Sequence, residues 1–179
     1  MHLNPYGADV VHLAAELANR RPTTVEELVD RCRAAGLVVE QAATGNDLTR
    51  TQAMLNAWES VVDATTEHER ARLLNHMLGE SAAHPRLTDH GDAGWHLHYR
   101  DHGVPLGSVL CAIISVGTAL HLTGRGIHRL RRCAVTDCDT IFADTTRTGR
   151  KRYCTHQCAN RDAVRRHRTR TSAANDQAD

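Results

Sequence analysis

Aromatic side chains are scarce in this chain of 179 residues, which has one Phe, two Trp and three Tyr. A core cannot be built on rings here. It must come from Leu, Val, Ala and Ile, for which a hydrophobic content of 41% suffices. The same scarcity disfavours readers of single-stranded RNA, which stack bases on exposed rings. Lysine is nearly missing as well: Lys151 stands alone among the arginines, a bias of the kind genome composition imposes. The first residues lack a basic region followed by an apolar one, so no signal peptide is read and a cytoplasmic protein with reduced thiols is expected. There is no internal repeat, phosphate-binding glycine loop or nucleophile–base signature, and the chain is expected not to be an enzyme. The length suits one main domain and a small module.

What is abundant lies near the C-terminus. Four of the six cysteines form two close pairs, Cys133 with Cys138 and Cys154 with Cys158. A tetrahedral Zn²⁺ site needs four such ligands, and two nearly closed pairs leave only one loop to order. The reading is one structural Zn²⁺ held by all four. Two disulfides are the alternative, and His156 or His167 could replace a cysteine. With four thiolates the shell is full, so this zinc staples a segment too small to fold alone and does no catalysis.

The run Cys-x4-Cys, then Ile-Phe-Ala-Asp, then Arg-x-Tyr-Cys-x3-Cys-Ala-Asn-Arg and a basic helix, resembles the CGNR-type zinc finger. The signature reads Cys158-Ala159-Asn160-Arg161, with alanine in place of glycine, a mild departure if position 159 is helical. The resemblance implies a treble-clef-like four-cysteine finger behind an ABATE-like helical domain. It further implies the role of a bacterial, stress-linked transcription regulator whose N-terminal domain senses a small-molecule effector or mediates association.

The body reads as mainly α, an α+β chain with one short β-hairpin. Apolar periodicity marks a helix over 8–20. Thr24 with Glu27 opens a second helix that Gly36 closes. Residues 46–47 precede a third helix, and a fourth over 66–79 is ended by Gly79. Cys32 is a lone core thiol; His68 and His76 are exposed. Short strands are expected at 86–88 and 94–100 around a turn at 89–93, with Trp95, Leu97 and Tyr99 on one face and His96 and His98 on the other. His96, His98 and His102 make a loose cluster: a solvated strand face, a pocket edge, or a second metal site. Residues 104–122 carry no Asp, Glu, Lys or Arg, but their Gly, Ser, Thr and His favour a helix buried in the core over a membrane span. An extended link at 127–130 then runs into the finger.

Domains are expected at 1–130 and 131–170, with a disordered tail at 171–179. Residues 1–130 hold 11 basic and 15 acidic side chains, and 131–179 hold 11 and 6, so an acidic body carries a basic end. Phe142 and Tyr153 are expected beside the metal. Arg147, Arg150, Lys151 and Arg152 make a basic turn. Arg161, Arg165 and Arg168 share a helical face, Arg166 continues a neighbouring stripe, and Asn160 contacts a base or braces the finger. This set suits double-stranded DNA. A finger contacting transcription machinery is the rival, and a homodimer is compatible with either. No membrane association is expected.

Overall fold

The computed structural model describes residues 8–89 and 95–175. Six helices and two hairpins follow in order: α1 Ala8–Asn19, α2 Val25–Ala34, α3 Gly45–Asp63, α4 Glu67–Ser81, β1 Arg86–Asp89, β2 Trp95–His98, α5 Leu106–Arg125, β3 Leu130–Arg132, β4 Ile141–Ala143 and α6 His156–Asn175. Each hairpin is antiparallel.

The uncharged run becomes α5, and α1, α3 and α4 pack round it. Leu110 and Ile114 are fully buried on it, facing Leu13, Leu17, Leu55 and Trp58. Its polar residues are used inside: the Trp58 indole donates to the Thr118 hydroxyl at 2.9 Å. At its start, Gly107 lies so close to α3 that a Cβ would sit 3.1 Å from the Asp47 backbone. Asp47 accepts from Gly107 N at 2.7 Å and from Thr44 N at 2.8 Å, so one carboxylate serves the first turns of both α3 and α5. Burial pushes this carboxyl up, but these hydrogen bonds outweigh it and hold the group below the ordinary carboxylate value.

Local signals explain the other ends. Thr24 accepts from Glu27 N at 3.1 Å, and Gly36 closes α2 with φ +76°. Three expectations are corrected. The third helix starts at Gly45, because Asp47 caps from within its first turn. Gly79 lies inside α4, which ends at Ser81 with nothing crowding that glycine. The link at 127–130 is a turn followed by β3, part of a second hairpin. The alternation at 95–98 is present, and the histidine face is the less exposed of the two. Leu87, Trp95 and Leu97 are exposed, while His96 and His98 are half-buried. The expected turn beyond Asp89 lies outside the described residues.

Body and finger share a core, since Leu130, Ile141 and Ala143 belong to the main apolar cluster. Asn19 donates to Ile141 O and accepts from Ile141 N, both at 2.8 Å. Arg132 bridges Glu59 and Asp63 on α3 at 3.1 and 2.7 Å. These partly exposed ion pairs are each worth about 1 kcal/mol or less. Burying Leu130 and Ile141 contributes about 1.5–3 kcal/mol apiece, so apolar burial holds the seam and the polar contacts fix its register. Arg70 reaches the carbonyls of Val61, Val62 and Ala64 at the end of α3 and that of Ile127 beyond α5, tying the approach to the finger into the α3–α4 corner.

His121 is fully buried on α5. Burial lowers its pKa, and the charges of Arg125, His12 and Arg129 add to this. A base with a depressed folded-state pKa contributes full stability above its ordinary value of 6.5 and loses it as pH falls below that value. We expect the melting temperature to drop between pH 7.5 and 5.5, and the drop to be smaller in His121→Leu. Equal drops in both proteins, measured by circular dichroism, would contradict the assignment.

Candidate metal centre and nucleic-acid interface

The four finger cysteines meet at one point. Beyond β3, Cys133 N donates to Thr140 O and Cys138 N to Val135 O, which folds the first pair into a tight knuckle. Ala134 N donates to Arg152 O and draws in the chain that carries the second pair. Cys158 then falls in the first turn of α6, its N–H bonded to the Thr155 hydroxyl at 3.2 Å. The four sulfurs all lie within 4.8 Å of one another. Cys138, Cys154 and Cys158 are separated by 3.6, 3.7 and 3.8 Å. Four Zn–S bonds of about 2.3 Å in a tetrahedron require sulfur–sulfur edges of about 3.8 Å, so the group fits one Zn²⁺. A disulfide needs about 2.05 Å, and all six cysteines are free thiols.

Sulfurs this crowded cannot all ionise unaided. Hydrogen bonds with Thr140 lower Cys138 to about 6, whereas burial and the neighbouring sulfurs push Cys154 up to about 12. A divalent cation among them removes the conflict and favours four thiolates. The other cysteines behave differently: burial raises Cys32 to about 12 and raises Cys111 as well, as expected of inert core thiols.

The alternative ligands are elsewhere. His156 is exposed and bonded through Nδ1 to Asn160 at 3.3 Å, so Asn160 braces the first turn of α6. His167 is exposed farther along the helix. Ala159 is helical, so the departure from glycine costs nothing there. Tyr153 packs against the cysteine group, but Phe142 does not: it pairs across the hairpin with Arg131 and lies under Lys151, whose Nζ is 5.1 Å from the ring centre. The segment 171–175 continues α6, and residues 176–179 lie outside the described residues.

Two carboxylates that sequence reasoning did not single out organise the basic surface. Asp144, wholly buried, accepts from Thr146 N at 2.9 Å and Lys151 N at 3.0 Å and so shapes the turn bearing Arg147 and Arg150. Arg129 supports that turn from below, donating to Thr146 O at 2.6 Å. Its guanidinium lies against Gly149, at φ +67°, where an added Cβ would fall 2.3 Å away. Asp162, buried on α6, accepts from the Tyr153 hydroxyl at 2.7 Å and pairs with Arg165 and Arg166 at 3.0 Å each. The Tyr153 hydrogen bond, with the two arginines, holds its pKa below the ordinary value. Arg161, although exposed, donates to Cys158 Sγ at 3.8 Å and meets Asp137 at 3.4 Å. Arg165 also reaches the Thr136 hydroxyl at 2.9 Å. Arg147, Arg150, Arg152, Asn160, Arg161, Arg165, Arg166 and Arg168 are all exposed, and Lys151 is half-buried.

Comparison with known proteins agrees with this anatomy. The CGNR zinc finger profile matches residues 129–171. A second profile, ABATE, described as "Putative stress-induced transcription regulator", matches residues 11–125. No curated protein matches the chain. The chain is therefore a member of the ABATE family, whose description is "Putative stress-induced transcription regulator", and carries a CGNR zinc finger behind that domain.

Proposed function

We propose that this regulator binds double-stranded DNA through α6 and the basic turn before it, with zinc as a structural staple. One observation carries the reading. From Ala163 to Thr171 every side chain of α6 is exposed, while the base of the helix is anchored at Cys158 and Asp162. A helix exposed on all sides, held only at its root and bearing Arg165, Arg166 and Arg168, is suited to a phosphate backbone or a major groove. The Lys151 and Arg152 segment adds cations beside the N-terminus of α6, where helical N–H groups also favour phosphate. The body, acidic by composition, receives the effector or mediates association as a homodimer. Four reduced thiols at one metal suit the cytoplasm, and no residue is given a catalytic role.

A second reading has its own support. Val164 is 51% exposed among the α6 arginines, which suits a protein partner such as transcription machinery. Salt separates the two. If about five phosphates are neutralised, log K against log[salt] for a random duplex has a slope of about −4 to −5. Anisotropy titrations between low and physiological salt measure it. A slope near zero rejects DNA binding and leaves the protein adaptor.

A further inference from the structure

We propose that His96 and His98 form a second metal site, one that takes an exchangeable divalent d-block cation and is separate from the four-cysteine centre. The two residues are alternate positions on β2, so their side chains leave the same face of the strand. Both are half-buried, and their Nε2 atoms lie 3.1 Å apart. The rings meet edge to face, with centroids 4.9 Å apart and planes at 62°. Two metal–nitrogen bonds of about 2.05 Å spanning that gap meet at an angle of about 100°, between the tetrahedral and octahedral requirements. The contact between the two rings is a hydrogen bond from one imidazole N–H to the other ring's nitrogen. The ion would take the place of that proton, with each nitrogen turning a lone pair toward it.

The surroundings allow a cation. Thr88 stands opposite His96, and Arg86 opposite His98. The Arg86 guanidinium is occupied by the Asp101 carboxylate, so its charge is matched next to the site. His102, with its ring centroid 6.1 Å from that of His98, is the nearest further imidazole and lies in the segment that enters α5. Imidazole nitrogen selects Ni²⁺, Cu²⁺ or Zn²⁺ over Mg²⁺ or Ca²⁺. Two protein ligands leave the remaining positions to water, which makes the ion exchangeable, unlike one enclosed by four sulfurs. The arrangement also suits the half-burial of both imidazoles, which a fully solvated strand face would not show.

The test uses the full chain with its finger already loaded with zinc. Ni²⁺ is titrated calorimetrically, and Ni and Zn are then counted by elemental analysis after gel filtration. We expect one further equivalent of nickel with zinc retained, and loss of that equivalent in the His96→Gln/His98→Gln variant with zinc content and circular dichroism unchanged. Absence of a nickel equivalent in the wild-type chain overturns the proposal. So does a nickel equivalent that survives in the variant.

Discussion

Stripping the zinc is expected to melt the finger and leave the body folded. The reason is a comparison of energies. Apart from its cysteines, the finger's own apolar cluster offers Val135 and the half-buried Tyr153 ring, a few kcal/mol at most. Structural zinc contributes on the order of 10–16 kcal/mol at neutral pH. Without it nothing offsets the cost of ordering the two cysteine knuckles and α6. α6 cannot persist alone, since a helix of 20 residues with this exposure lacks both a packed face and a nucleus. The β3–β4 hairpin has a different fate, because Leu130, Ile141 and Ala143 are anchored in the main core. Dialysis against a strong chelator, or Cys158→Ser, should therefore remove the α6 share of the far-ultraviolet helix signal and all duplex binding, while a cooperative thermal transition of the body survives. A single transition lost whole on chelation would mean that body and finger fold as one unit. Unchanged helix content would mean that zinc is not what holds α6.

Replacing Arg165, Arg166 and Arg168 together with alanine is expected to have the second largest effect. These three are chosen because none touches a sulfur, whereas Arg161 donates to Cys158 Sγ and its loss would perturb the metal centre as well. Three lost phosphate contacts lower the salt slope by about 2.7 and weaken binding at low salt by roughly 100-fold. Zinc content should not change. The helix signal should change little, because Asp162 keeps its bond to Tyr153. Equal affinity and an equal slope in the variant would remove α6 as the reading element.

Much of this was legible in the residues because the signals are local. The cysteine spacings place ligands within a few residues of each other, so the site follows from short-range closure. Thr24 and Gly36 announce the ends of α2, and the uncharged run announces a helix buried on most sides. What stayed hidden depends on partners far along the chain. Asp47 reads as a capping residue, but its bond to Gly107 spans 60 positions. Asn19 reads as one more polar end of a helix, yet it meets Ile141 from 122 positions away. Arg129 reads as one arginine among many until the turn at 144–149 closes on it. The hairpin at 86–98 shows a separate limit: a period of two assigns side chains to two faces and does not say which face turns inward.

Asn19 has one more consequence. Its carboxamide occupies the place of a neighbouring strand, taking both main-chain groups of Ile141 and ending the ladder there. A two-stranded ribbon otherwise offers its border to any stray extended peptide. Here one amide covers Ile141 at the end of β4, so an incoming strand would have to displace it to pair there. That cover is supplied by the first helix of the body.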